Sequence, residues 1–218
     1  MWNIEDVNNF KIESENDRGQ IMRDQEMGKI IYDLSCDSEN QILVDIGTWN
    51  GLGSTRCFIE GMFNNKSAKL YTIENNIEKY EFAKNYWMEK LEDHNLDVNF
   101  ICGSLVSNEE IDVFLNEKSV RLNEQQEYWL SIDKTNTQEI IDIIWEKIDV
   151  LLIDGSEFTG FSEMMKLKDL SKYIVLDDTR AIKNMYTREY LLNSPDFSLI
   201  SENANYRNGY SLFKNKNL

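Results

Sequence analysis

The chain has 218 residues, enough for one domain and too few for two full ones. Its 23 Lys and Arg against 39 Asp and Glu leave a formal charge of −16, which excludes a polyanionic partner such as nucleic acid. Hydrophobic residues make up 41 %, enough for a sizeable core and too many for a disordered acidic chain.

In chain order, the opening residues Met1 to Asp6 show neither the basic nor the apolar region of a secretory signal, and no stretch is long and apolar enough for membrane insertion. A cytoplasmic protein is expected. Cys36, Cys57 and Cys102 form no zinc or redox pattern and read as three buried thiols in a reducing compartment. Met27, Ile30, Ile31 and Leu34 are spaced as one face of a helix, and Ile42 to Asp45 follow as a first strand. Leu70 to Glu74 form a second strand, and Ile77, Tyr80, Ala83, Trp87 and Leu91 mark the helix after it. Val98 to Gly103 form a third strand, and Ser107 with Glu110 reads as a capping box opening a helix through Leu115. Ile140, Ile141, Ile144 and Ile148 line another helix before the strands Val150 to Asp154 and Tyr173 to Asp178. Phe197 to Ile200 and Tyr210 to Phe213, joined through Asn208 and Gly209, lack a helix between them, so the last strand should run antiparallel.

Short apolar runs without alternation are strands buried on both faces, and their alternation with helices implies a parallel sheet covered on both sides. The expected fold class is α/β: a doubly wound, mostly parallel sheet in one domain spanning 1–218. Residues 107–147 exceed one crossover and read as a cap-like insertion over a site, with Tyr128 and Trp129 as a sugar-stacking face.

In such a sheet, ligands bind at the carboxyl ends of the strands. The first loop there, Asp45 to Ser54, is rich in glycine, which lets backbone approach a ligand, and the helix after it offers free N–H groups to an anion. A dinucleotide fingerprint built on Gly51 and Gly53 would need a third glycine where Arg56 stands, which disfavours NAD. Glu74, ending the second strand, is suited to accept hydrogen bonds from ribose hydroxyls; a solvated loop glutamate is the alternative.

The run Val44 to Gly51 resembles the first motif of class I S-adenosylmethionine-dependent methyltransferases, and Leu70 to Glu74 resembles their second. Asp154-Gly155 and Asp177-Asp178 sit where the fourth and fifth strands of small-molecule O-methyltransferases end, and Asn208 to Phe213 resembles the terminal hairpin strand of that fold. The resemblance covers residues 20–214 and implies a seven-stranded sheet. Asp154 to Gly160 with Leu176 to Thr179 is similar, more narrowly, to methyltransferase-like proteins associated with surface glycans. The resemblance implies S-adenosylmethionine as cofactor, held by Asp45, Gly47, Thr48, Asn50, Gly51, Ser54, Glu74, Gly103 and Ser104. One departure is structural: the family's Pro-Gly-Gly turn before the fifth strand is replaced by Leu170-Ser171-Lys172.

Methyl transfer to a hydroxyl needs alignment and either a general base or a cation that acidifies the hydroxyl. Asp154, Asp178 and Thr179 resemble the cation site of metal-dependent O-methyltransferases, which more often carry Asn at the third position; Mg2+ or another divalent cation is the ion implied. Asp154, Asp178 and Glu157 are the candidate catalytic residues. Each has a plainer alternative: loop structure for Asp154, a helix N-cap for Asp178 and a solvated loop for Glu157. His94 is the reserve base, although it reads first as a surface residue. The expected partner is a small-molecule or glycan acceptor, with homodimer formation open. A methyltransferase fold that binds without turnover and an NAD-dependent sugar-modifying enzyme are the alternatives, the latter opposed by the glycine spacing.

Overall fold

The computed structural model describes residues 19–136 and 145–218. Helix α1 (Glu26–Cys36) leads into strand β1 (Ile42–Ile46), and α2 (Ser54–Met62) returns the chain to β2 (Lys69–Glu74). Then come α3 (Ile77–Lys90), β3 (Asp97–Cys102), α4 (Asn108–Glu117) and α5 (Glu124–Asn136). Strand β4 (Ile148–Ile153), helix α6 (Gly160–Leu167), a 3-10 turn (Lys168–Leu170), β5 (Ser171–Leu176) and α7 (Ile182–Asn193) continue the alternation. The hairpin β6 (Phe197–Asn203) and β7 (Tyr210–Asn215) closes the chain. The helical pattern at Ile140, Ile141 and Ile144 lies outside the described residues, while Ile148, assigned to the same helix by spacing, opens β4 instead.

The seven strands form one sheet in the order β3-β2-β1-β4-β5-β7-β6. The first five are parallel, and β7 runs antiparallel to both β5 and β6. The architecture is the Rossmann-like methyltransferase fold expected from the sequence. It is built because apolar residues at successive strand positions go to opposite faces. Leu43, Leu70, Val150 and Leu152 pack with Met27, Ile31, Phe58, Met62 and Trp87 beneath α1 to α3. Val44, Leu151, Ile153 and Ile174 pack with Met164, Leu167 and Leu191 beneath α6 and α7. Central β4 is buried at every position. Edge strand β3 is only half-buried, unlike the doubly covered strand read from its apolar run, because it has a neighbour on one side only.

Local signals account for the helix starts. Ser107 and Glu110 exchange the two hydrogen bonds of a capping box at α4, and Asn76 caps α3. In α3 only Ala83 and Trp87 are buried; Ile77, on the inferred apolar stripe, is exposed. Helices α4 and α5 share a small core of their own, with Val106, Ile111 and Phe158 buried against Leu115, Leu122 and Leu130. The three cysteines are free, but only Cys57 is buried and the other two are half-exposed. No described helix is long and apolar enough to cross a membrane.

Trp87 ties α3 to the loop after β1: its indole Nε1 donates to the Gly51 carbonyl at 2.7 Å, both groups being buried. Gly51 has φ +74, and a Cβ there would meet the same indole nitrogen at 2.9 Å. Trp87→Phe keeps the apolar bulk and strands that carbonyl. A loss of about 1–3 kcal/mol in denaturant unfolding is expected; an unchanged midpoint would mean that the loop finds another donor.

Candidate functional site

The carboxyl ends of β1 and β4 meet at the point where the chain turns outward in opposite directions, the place where open α/β sheets bind ligands. Gly47, at φ +101, lies so close to β4 that a Cβ would fall 2.2 Å from the Asp154 carbonyl oxygen. A cavity of ≈ 730 Å³ opens above this contact, within the range of small-molecule and cofactor sites. Of the residues inferred to hold a cofactor, Gly47, Thr48, Asn50, Ser54, Glu74, Gly103 and Ser104 line it. Asp45 and Gly51 are not among the lining residues.

Asp45 works beneath the loop. Its fully buried carboxylate accepts hydrogen bonds from Ser54 Oγ at 3.0 Å, Thr55 Oγ1 at 2.5 Å and Thr72 Oγ1 at 3.2 Å. These bonds pin the start of α2 to β1 and β2. Burial nonetheless outweighs the three hydroxyls and pushes its pKa up to about 6. Glu74 faces the cavity and organises the same loop, accepting from the Trp49 backbone N–H through Oε2 and from the Asn76 N–H through Oε1, both at 2.8 Å. Its carboxyl is also raised by burial against these backbone donors. Trp49 is exposed at φ 51, with the Lys79 ammonium 4.2 Å from its ring centre. Across the cavity, Ser104 Oγ bonds to Val106 through both backbone groups and holds the turn after β3.

The acidic ends of β4 and β5 converge. Oxygens of Asp154, Asp177 and Asp178 all lie within 4.8 Å of one another. Between two of them stands a residue that the sequence reading did not single out. Lys183 Nζ is 2.9 Å from Asp154 Oδ1 and 3.0 Å from Asp178 Oδ2. Arg207 Nη1 reaches Asp177 Oδ2 at 3.1 Å, and Asn208 Nδ2 donates to Asp178 Oδ1 at 3.0 Å. Thr179 turns its hydroxyl toward Gly209, where a Cβ would lie 2.6 Å from it. Asp178 is not the cap of α7, a position held by Ala181; it sits in the left-handed region at φ 51, a strained conformation held by these contacts.

Electrostatics divide the three carboxyls. Burial raises Asp154 against the opposing pull of Lys183. Burial and the neighbouring charges of Asp154 and Asp178 raise Asp177. For Asp178, burial is outweighed by Lys183 and Asn208, which hold it below the ordinary carboxylate range. Burial alone would lower Lys183, but Asp154 and Asp178 overcome it and keep the ammonium charged.

Helix α5 supplies another wall of the cavity through Trp129, Ile132, Asp133 and Asn136, whereas Tyr128 is exposed and does not line it. Asp133 accepts from Ser156 Oγ at 2.5 Å, which fastens this helix to the loop after β4. Glu157 is half-buried and raised by burial, and it too is absent from the lining. Glu163 lines the cavity instead, fully buried beneath Gly155, with Oε2 lacking any hydrogen-bond partner. His94 stands edge-on to Phe63 at 5.1 Å, in neither the cavity nor the acidic cluster. Lys183 and Glu163 escaped the sequence reading because each sits inside a helix whose facing partner is set by packing. The one available signal was a lysine five residues after an Asp-Asp strand end.

The fold is that of the class I S-adenosylmethionine-dependent methyltransferases, and the cavity lies at its ligand-binding edge. Solved structures with this fold include a methyltransferase from Geobacter sulfurreducens, 13 % identical over 97 % of this chain and 94 % of that one, with a TM-score of 0.57. An O-methyltransferase from Bacillus cereus in complex with S-adenosylhomocysteine is 14 % identical over 97 % of this chain and 96 % of its own, with a TM-score of 0.56. The O-methyltransferase TomG from Streptomyces achromogenes, involved in tomaymycin synthesis and in complex with S-adenosylmethionine, is 13 % identical over 99 % and 91 %, with a TM-score of 0.57. No protein-family model matches the sequence, and no curated protein matches it.

Glu163 yields a pH test. Burial raises its pKa from 4.5 to about 7, against weaker opposing contributions from Thr159 and Lys183. Between those values the unfolded chain has lost a proton that the folded chain keeps, so stability falls as pH rises through this window. Glu163→Gln should flatten that fall and gain up to about 3 kcal/mol near pH 8, the energy equivalent of the shift. Urea titrations across the window measure it. A variant no more stable than the parent at the alkaline end would show that the ionised carboxylate is compensated.

Proposed function

We propose that this protein is an S-adenosylmethionine-dependent O-methyltransferase acting on a hydroxyl of a small molecule. The observation that carries this reading is the pairing of Glu74 with the Gly47–Ser54 loop in the wall of a cavity that Asp154 also lines. The residues present fit the cofactor. Glu74 already accepts from the backbone N–H groups of Trp49, Asn75 and Asn76, and since a carboxylate offers about four acceptor sites it keeps capacity for a ribose hydroxyl. Gly103 and Ser104, which line the cavity, would border the adenine, and the backbone at Gly47, where there is no room for a side chain, would border the methionine part. When bound, the sulfonium supplies an electrophilic methyl carbon for in-line displacement.

The chain's own residues then align the acceptor and take its proton. Asp154, the one carboxylate of the acidic cluster that lines the cavity, receives the hydroxyl proton as the acceptor oxygen attacks. Lys183 favours the ionised form of Asp154 beforehand, and Asp178 acts indirectly by holding Lys183 from its other side. Glu157, off the cavity lining, has no part in this step. The donor set does not fit a divalent cation while Lys183 keeps its place, because its ammonium already bridges two of the three carboxylates.

A sugar hydroxyl, such as one on a surface glycan, is the acceptor class we favour. Trp129 offers a partly exposed ring at the cavity, a surface on which a sugar face can stack. The free cysteines suit a reducing, cytoplasmic setting.

Calorimetry with S-adenosylmethionine, S-adenosylhomocysteine and NAD tests the cofactor. Binding of the first two and not the third is expected. Glu74→Ala should weaken it by about 1.5–3 kcal/mol, the scale of hydrogen bonds to a charged group. Unaltered affinity in that variant would place the ribose elsewhere. A panel of hydroxylated acceptors then separates turnover from binding alone.

A further inference from the structure

We infer that the Lys183 ammonium is the resident cation of the Asp154–Asp177–Asp178 centre, standing where a divalent metal would otherwise be held. Three carboxylates from the ends of two adjacent strands, with oxygens within 4.8 Å, form an arrangement able to chelate an ion. Here the space between two of them is filled from within the chain. Lys183 Nζ lies 2.9 Å from one carboxylate and 3.0 Å from another, ordinary lengths for a charge-assisted hydrogen bond. A Mg2+ ion would need the same carboxylates at about 2.0–2.1 Å in near-octahedral geometry. Ammonium and metal cannot both occupy that position.

Charge points the same way. Lys183 and Arg207 together set two positive charges against the three carboxylates, which leaves one net negative charge instead of three. Adding a divalent ion without expelling Lys183 would make the buried cluster net positive. Expelling it would mean moving a side chain that is only 14 % exposed.

The backbone also holds Lys183 in place. It is the second residue of α7, and its neighbour Asn184 is fully buried, donating to the carbonyls of Ile153 at 2.9 Å and Asp177 at 2.8 Å. These carbonyls end the two strands that carry the acids, so the same residue that anchors the helix sets the height of the lysine above them. Gly160 at the start of α6 allows this: a Cβ there would fall 2.4 Å from the Lys183 carbonyl oxygen. Lys183 also lines the cavity. It thereby offers an acceptor oxygen a fixed positive charge, as a metal would, but one that a chelator cannot remove.

The role of that charge in catalysis rests on the methyltransferase reading; the occupancy of the centre does not. The test therefore reads metal binding. Full-length protein is stripped with a chelator and titrated with Mn2+ in a calorimeter. The parent protein should show no saturable binding at millimolar Mn2+ and no change in melting temperature with chelator or metal. Lys183→Ala should gain roughly tenfold or more in Mn2+ affinity, and adding Asp178→Asn to it should abolish the gain. Saturable binding by the parent that is lost in Asp178→Asn overturns the inference, whatever the Lys183 variants do. A folded Lys183→Ala protein that binds Mn2+ no better than the parent overturns it as well. Should the alanine variant not fold, the titration of the parent and of Asp178→Asn still decides. Failure here leaves S-adenosylmethionine binding untouched, so the two readings fall separately.

Discussion

Where β1 ends, its backbone comes so close to β4 that only a residue without a side chain can stand there. A Cβ on Gly47 would lie 2.2 Å from the Asp154 carbonyl oxygen. From this contact the chain leaves β1 toward one face of the sheet and β4 toward the other, and the cavity is the gap left by that divergence. The loop after β1 and Glu74 at the end of β2 line the cavity together, and the loop after β4 adds Asp154 beside them. A second constraint locks the far side, where Asn184 joins the ends of β4 and β5 through two carbonyls.

Three ways of burying a carboxylate coexist at that edge, and they separate structure from chemistry. Asp45 is surrounded by three hydroxyl donors and serves the loop above it. Asp154 and Asp178 are matched to a lysine, which stores charge at the cavity without leaving it unpaired. Glu163 has one oxygen with no partner at all, although it is buried. Such a carboxyl costs stability at neutral pH, because burial penalises its charged form by more than Thr159 and Lys183 offset. Costs of this kind are concentrated where chemistry needs groups poised to change charge.

The neighbours in fold share 13 or 14 % of their residues with this chain, yet the likeness of fold covers nearly the whole chain. That is the behaviour of a framework defined by burial pattern and crossover handedness, which many sequences satisfy. The lysine at the acidic centre belongs to a different level. It changes the chemistry of three carboxylates without altering any strand or helix, so likeness of fold carries no information about it.

The strands were legible because strands covered on both faces require uninterrupted apolar runs, such as Val150 to Ile153, too short for a helix of ordinary length. Likewise, Ser107 with Glu110 announces a helix start through bonds between neighbours in sequence. The glycine loop and Glu74 were readable for a related reason: they terminate adjacent strands, so their order along the chain already places them on one edge. Tertiary structure alone decided how far each side chain is used. It set Asp45 below the loop and away from the cavity, left Glu157 off the lining and put Glu163 on it, and brought Lys183 from a separate helix onto two strand ends. Local sequence determines which bonds a residue can form with its near neighbours, whereas the partner of a helix residue across a packed interface depends on the angle and height at which the helix docks. Those are set by contacts spread over the whole domain, among them the Asn184 clamp and the close passage at Gly160.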